Sequence, residues 1–261
     1  MTTILVPVKA VPLTAGRATL TSARTWREAD QWQLDPINET TLEWAVARRE
    51  AGEADVVVGV TVGPTDRGLV ALRAAHSRGA TALVQVATDV QLDMPSTARL
   101  LAATARRVGA TLVAFGYESY DGSSGTLPAA TAAALGWPVA TRVRDATVAD
   151  GELTATRSLA TRTTTVSIAL PSVASFVEGA IVPRHPPLSA AIAARRASPT
   201  VVAATELVAP EQLASWTTGL EAVEPVPARA HATRVLDLDA GVLAIAGLAR
   251  GVRGESLVEH A

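Results

Sequence analysis

Residues 111–138, TLVAFGYESYDGSSGTLPAATAAALGWP, decide the fold class of this chain. The segment opens with the short apolar run 111–115 and continues through a polar, Gly- and Ser-rich stretch at 116–126. An Ala-rich run follows and ends at Gly136-Trp137-Pro138, where glycine and proline together stop a helix. The spacing therefore predicts a buried strand, a polar loop and a helix over 124–135.

The same alternation extends toward the N-terminus from this unit. Further strands are predicted at 4–8, 56–62 and 81–86, and further helices at 38–50, 65–78 and 95–108. Strands that are apolar on both faces and alternate with helices predict a doubly wound α/β fold, with a parallel sheet covered on both sides.

The pattern changes after residue 138. Residues 139–177 alternate β-branched and polar side chains around an Asp150-Gly151 turn, which predicts an antiparallel hairpin added to the sheet. Residues 179–200 predict an exposed loop and a short helix, and weak periodicity from 205 onward predicts a tail that wraps another surface. We therefore divide the chain into an α/β domain, 1–200, and a C-terminal extension, 201–261.

Composition excludes several classes of function. Apolar residues make up 48% and charged residues 18%, and 23 Lys and Arg against 25 Asp and Glu give a net charge of −2. This balance, with no basic run, argues against a nucleic-acid partner. The absence of cysteine excludes thiolate metal sites, disulfides and thiol catalysis. The apolar runs near both ends are too short for a signal peptide or membrane insertion, so we expect a cytoplasmic protein.

In a parallel α/β sheet, ligands bind beyond the carboxyl ends of the strands. Pro7, the pair Gly63-Pro64 and the loop 116–126 follow predicted strands. The last of these, GYESYDGSSGT, could present amides and hydroxyls to a phosphate at a helix start. Alternatively it is only a capping loop, with Asp121 or Ser123 as the cap. Neither GxGxxG after a strand nor GxxxxGK[ST] occurs in the chain.

The segment Pro183-Arg184-His185-Pro186-Pro187-Leu188 combines three prolines with an apolar residue. A leucine exposed on such a restrained loop would be a candidate contact site for a partner. The alternative is that Leu188 packs into its own domain. The four histidines are scattered and form no hydrolytic or metal-binding pattern.

Over nearly its whole length the chain resembles the β subunit of electron-transfer flavoproteins. The segment GYESYDGSSGTLPAATAAALGWP, 116–138, carries the most specific likeness. Other similar segments fall in the family's order: ILVPVKAVP at 4–12, LDPINETTLEWAVARRE at 34–50, VTVGP at 60–64, LRAAHSRGA at 72–80, DGELTATRS at 150–158, LPSVAS at 170–175 and VPRHPPLSAAIAARRASP at 182–199.

The resemblance implies a heterodimer in which FAD is held mainly by the α subunit, while the β subunit holds AMP or, in some members, a second FAD. It implies that flavoprotein dehydrogenases deliver electrons after docking on a β-subunit loop anchored by a leucine, here Leu188. It also implies a subunit without bond chemistry of its own. The implied nucleotide contacts are Pro7, Asp35, Pro36, Ile37, Asn38, Val62, Ser119, Tyr120, Asp121, Gly122, Ser123, Ser124, Gly125, Thr126, Leu127, Pro128, Ala129 and Ala130.

Several stretches depart from the family's pattern, and three of the changed residues concern the implied nucleotide site. Asp35 replaces an asparagine, Glu118 replaces a glutamine, and Pro128 removes an amide near the helix start. We therefore expect a divergent member with weaker nucleotide retention. Two other readings stay open: a stand-alone adenine-nucleotide-binding module of the universal-stress type, which needs neither the hairpin nor the tail, and an enzyme acting on a nucleotide.

Overall fold

The computed structural model describes residues 1–13, 31–90, 92–159 and 161–213, together with Val242, Leu243 and Ala246. The chain divides into two compact units, residues 1–221 and 222–261. All the helices and strands named here lie in the first unit. The predicted wrapping tail from residue 205 lies mostly outside the described residues, and its contact with a partner stays a prediction.

The strands are β1 (Thr3–Pro7), β2 (Ala10–Pro12), β3 (Trp32–Leu34), β4 (Val56–Gly63), β5 (Ala82–Ala87), β6 (Leu112–Gly116), β7 (Val139–Ala149), β8 (Glu152–Leu159), β9 (Arg162–Ala169), β10 (Ser172–Phe176) and β11 (Thr200–Ala203). The helices are α1 (Pro36–Glu50), α2 (Thr65–Ser77), α3 (Met94–Arg107), α4 (Leu127–Leu135), α5 (Leu188–Ala194), α6 (Ala204–Leu207) and a short 3₁₀ turn, Pro210–Gln212. In the described part of the chain, no helix is both long enough and apolar enough to span a bilayer.

The main sheet has nine strands in the order β11-β5-β4-β1-β6-β10-β7-β8-β9. Every pairing from β11 to β7 is parallel, and β7-β8-β9 is antiparallel. The strands β2 and β3 form a separate antiparallel ribbon. The sheet extends past residue 200, where we placed the domain boundary, because β11 pairs with β5.

Side chains of β1 alternate between the two faces of the sheet, as the two-residue period of a strand requires. Ile4 and Val6 belong to one apolar core, which α1 and α2 cover. Leu5 belongs to a second core, which α3 and α4 cover. Two cores separated by a parallel sheet confirm the predicted doubly wound fold.

The predicted hairpin is confirmed. Asp150 and Gly151, with φ of 51° and 77°, form a two-residue turn that suits the twist of paired strands. Beyond the hairpin the chain adds β9 and then returns with β10, which inserts between β6 and β7. All five residues of β10 are buried, so its sequence has no polar face. The sequence pattern therefore does not indicate whether β10 pairs in parallel or antiparallel with its neighbours.

Helix α1 ties the antiparallel extension to the parallel sheet through Trp44. Its buried indole Nε1 donates to the carbonyl of Ala146 at 3.0 Å, and its ring lies 4.3 Å from that of Phe176, centroid to centroid. One side chain thus contacts both β7 and β10.

We expect Trp44→Ala to lower the free energy of unfolding by about 3–5 kcal/mol, the usual cost of deleting a buried aromatic ring. Trp44→Phe keeps a ring beside Phe176 and should cost less, about 1–3 kcal/mol for the unpaired carbonyl. Urea unfolding of the purified protein measures both. A Trp44→Ala protein as stable as the wild type would show that the extension does not depend on this contact.

Candidate functional site

The strand order places the candidate site. The chain runs from β1 outward to β4 and β5, and then crosses back through α3 to β6 on the other side of β1. The loops after β1 and β6 therefore leave the sheet on both sides of a topological switch point, where open α/β sheets bind ligands. Pro7, Gly63 and Gly116 end neighbouring strands at this edge.

Residues 117–126, which we call the switch loop, follow β6. Hydrogen bonds hold the first half of the loop: Tyr117 N–H donates to the carbonyl of Phe176 at 2.9 Å, and Ser123 N–H to that of Ser119 at 2.9 Å. The ammonium of Lys9, just after β1, pairs with the carboxylate of Asp121 at 2.6 Å. The two loops at the switch point are thus joined directly.

Asp35 makes a second connection to the switch loop. This fully buried residue is the N-cap of α1, where Oδ1 accepts from Ile37 N–H at 2.9 Å. Its other oxygen, Oδ2, accepts from Tyr120 N–H at 2.9 Å. The carboxylate of Asp35 therefore both caps α1 and holds the switch loop.

Burial raises the pKa of Asp35 above its ordinary value of 3.8, and the neighbouring Asp121 adds to the rise. The hydrogen bonds from Tyr120 and Ile37, and the charge of Lys9, lower the pKa but do not cancel the effect of burial. The first turn of α1 also contributes Asn38, whose Oδ1 accepts from Lys9 N–H at 2.8 Å.

The second half of the switch loop leaves donors free. Within residues 1–13, 31–90, 92–159 and 161–213, no group accepts a hydrogen bond from the backbone N–H of Ser124, Gly125 or Thr126. All three residues are exposed, and Thr126 is the N-cap of α4 without a side-chain bond to the helix. The loop therefore presents amides next to a positive helix end, which suits an anion.

The alternative in which Asp121 or Ser123 caps α4 is wrong. The carboxylate of Asp121 is engaged by Lys9, and Ser123 Oγ donates to the carbonyl of Ser119 at 3.3 Å. The predicted helix start at 124 is also wrong. Helix α4 begins later, at Leu127, because Gly125 has a φ of 61°, which an α-helix excludes.

The structure thus brings Pro7, residues 35–38 and the switch loop together at one edge of the sheet. Val62 ends up beside them, half-buried near the end of β4, which neighbours β1. Pro128 is buried in the first turn of α4, a position that tolerates the lost amide. Residues 127, 129 and 130 share that first turn.

Sequence reasoning missed Lys9. The signal for it was a lone cation directly after the first strand, at the edge where loops gather.

Leu188 lies outside this group, at the start of α5. Its side chain is 77% exposed, so the alternative in which it packs into its own domain is wrong. Val182 and Ile192 are also exposed, at 85% and 52%. We call residues 179–199 the docking segment, after the partner contact that the sequence predicts for Leu188.

These features define a doubly wound α/β protein whose candidate anion site lies at the topological switch point. The family model for the electron transfer flavoprotein domain matches residues 25–207. The electron transfer flavoprotein subunit beta of Mycobacterium tuberculosis is 33% identical over 249 residues, which cover 91% of this chain and 93% of that protein. The same subunit of Mycobacterium leprae is 35% identical over 216 residues, 79% and 81% of the two chains.

A mitochondrial subunit beta of Oryza sativa subsp. indica is 31% identical over 176 residues, 65% of this chain and 69% of that protein. The chain therefore belongs to the electron transfer flavoprotein family, as a β subunit, and the resemblance noted in the sequence is confirmed. Its function is electron transfer in association with flavin. Nothing in these comparisons favours a universal-stress module.

The raised pKa of Asp35 sets the sign of a pH effect. Between 3.8 and its raised pKa, the folded protein binds more protons here than the unfolded chain does. The contribution of Asp35 to stability is therefore fully present below 3.8 and declines as pH rises through the raised pKa. We expect urea unfolding to show that the wild type loses stability relative to Asp35→Asn over this interval.

Asp93, the N-cap of α3, provides a matched control. Hydrogen bonds from Ser96 lower its pKa, so its stabilisation is present above 3.8 and is lost as pH falls. Asp93→Asn should therefore show the opposite sign in a lower pH interval. The same pH trend in both variants would contradict our assignment for Asp35.

Proposed function

We propose that this β subunit pairs with an electron-transfer flavoprotein α subunit, and that the heterodimer carries electrons from flavoprotein dehydrogenases to a respiratory or other redox acceptor. The single observation that supports this most is the family match over residues 25–207, which include the switch loop and the whole docking segment. FAD, held mainly by the α subunit, supplies the redox chemistry when it is bound. This chain positions the cofactor and the partner and performs no bond chemistry of its own.

We further propose that the switch loop holds the phosphate of an adenine nucleotide, AMP or a second FAD. Its free amides at Ser124, Gly125 and Thr126 and the uncapped start of α4 suit that group. Two acidic residues nearby, Asp35 and Asp121, are compensated by backbone N–H groups and by Lys9. Glu118 still adds negative charge, so we keep the expectation of weak retention.

The two carboxyl groups with shifted pKa values, Asp35 and Asp93, support a role without acid–base catalysis. Asp35 and Asp93 cap helices, and both carboxylates accept backbone hydrogen bonds. His76, at the end of α2, has its Nδ1 3.0 Å from the carbonyl of Ala80. The hydrogen bonds of these three side chains stabilise the fold.

The proposal also includes a cytoplasmic location, without nucleic acid or membrane as a direct partner.

Leu188 is proposed as the anchor for the dehydrogenase. Its exposure makes it accessible to a partner. The restraint from Pro183, Pro186 and Pro187 reduces the entropy lost when the loop is immobilised on that partner.

Gly125→Val tests the nucleotide site. A β-branched residue at a φ of 61° distorts the loop, and its Cβ would lie 3.3 Å from the carbonyl of Tyr117. We expect the purified heterodimer to lose most of the AMP or second FAD that this chain holds. The loss is measured by chromatography of the ligands released on heating. Gly151→Val carries the same backbone strain at a φ of 77°, away from the site, and should retain the nucleotide. Equal retention in both variants would refute the phosphate-binding role of the loop.

Leu188→Ala tests the docking site. A leucine buried in a partner's pocket contributes about 1.5–3 kcal/mol, so we expect roughly a tenfold or greater loss of apparent affinity for the cognate dehydrogenase. The thermal midpoint and flavin content should hardly change. Val201→Ala, on β11 with 55% exposure, should leave the affinity intact. Destabilisation of Leu188→Ala by several kcal/mol would instead indicate a core residue.

A further inference from the structure

Arg184 connects the docking segment to helix α1. Its backbone N–H donates to Glu43 Oε2 at 3.1 Å, and its Nε donates to Glu43 Oε1 at 2.6 Å. Its Nη2 donates to Glu50 Oε2 at 3.0 Å. Main chain and side chain of one residue are thus fixed to two carboxylates that lie two helical turns apart.

The connection to Glu43 differs from an ordinary surface ion pair. Glu43 is only 7% exposed, and both of its oxygens accept hydrogen bonds from Arg184. A carboxylate so buried needs compensation, and removing its partner leaves a charge that water reaches poorly. The guanidinium fork also has a defined orientation relative to a carboxylate, which an ammonium lacks.

The backbone of the docking segment has few other restraints before α5. Between residues 181 and 187, prolines at 183, 186 and 187 carry no N–H. Of the remaining four residues, only Arg184 donates its N–H to an acceptor in the part of the chain that the structure describes. Arg184 is therefore the hydrogen-bonded attachment of this extended stretch, four residues before Leu188.

We propose that Arg184 is a positioning residue for partner docking. By attaching the segment to Glu43 and Glu50, it sets where the exposed side chains of Leu188 and Ile192 stand, one helical turn apart on α5. This inference rests on the proposed docking role of Leu188. Arg184 acts through the leucine, so its loss weakens docking to the dehydrogenase and leaves the rate of electron transfer within the docked complex unchanged.

A double-mutant cycle tests the inference, with Leu188→Ala, Arg184→Met and the double variant prepared as complete heterodimers with FAD. The readouts are KM for the heterodimer and kcat, with the cognate flavoprotein dehydrogenase as electron donor. We expect Arg184→Met to raise KM several-fold without lowering kcat. In the Leu188→Ala background the same change should add little, because the anchor it positions is already gone.

Three further variants control for folding and charge. Arg48→Met breaks another arginine–glutamate pair of α1, with Glu53 at 2.9 Å, and should leave KM unchanged. Arg184→Lys keeps the charge without the fork and should restore KM only in part. Glu50→Gln removes only the charge of the Arg184–Glu50 pair and should raise KM less than Arg184→Met does. If Arg184→Met folds poorly, Glu50→Gln still tests the positioning role.

The outcomes separate the two proposals. A raised KM in Leu188→Ala with a wild-type KM in both Arg184→Met and Glu50→Gln would overturn the positioning role alone. Fully additive effects in the double variant would also overturn it, since Arg184 would then touch the partner independently of Leu188. An unchanged KM in Leu188→Ala would refute the docking site itself, and the inference with it.

Discussion

The carboxylate of Asp35 accepts backbone hydrogen bonds from two segments, one at the start of α1 and one that lies 85 residues away in the switch loop. The switch loop follows β6, which pairs with β1 in the parallel sheet. Asp35 follows β3 of the separate ribbon and lies beside the end of β1, because its N–H donates to the carbonyl of Lys9 at 2.9 Å. The arrangement of the candidate site then depends on this carboxylate. It holds the first half of the switch loop through Tyr120, whereas the amides of Ser124, Gly125 and Thr126 have no acceptor among the residues that the structure describes.

Much of this architecture could be predicted from local sequence. The strands are short, continuously apolar and separated by amphipathic helices, which is sufficient to indicate a doubly wound sheet and the edge that carries a ligand site. The Asp150-Gly151 turn could also be predicted from local sequence, because both residues tolerate the positive φ that such a turn requires.

The bonds that assemble the site could not be predicted in this way. Lys9 and Asp121 are 112 residues apart, and nothing in either neighbourhood indicates the other. Asp35 was expected as a departure that places charge at a nucleotide contact, yet both of its oxygens bind backbone. The insertion of β10 between β6 and β7 could not be predicted either. An apolar strand that is buried on both faces fits any interior position of the sheet, and its sequence does not specify its neighbours. The family resemblance supplied the candidate site residues as expectations, and the structure shows which contacts bring most of them together.

Helix α1 attaches the switch loop through Asp35 near its first turn and the docking segment through Glu43 and Glu50 farther along. Under the proposed positioning role of Arg184, partner preference would depend on two separate stretches of the chain. A transplanted docking segment that carries an arginine at this position would need acidic acceptors at the places of Glu43 and Glu50 on the recipient helix. The unit to exchange in a chimera would then be helix α1 and the docking segment together, because the segment alone would lack the carboxylates that set the place of its leucine.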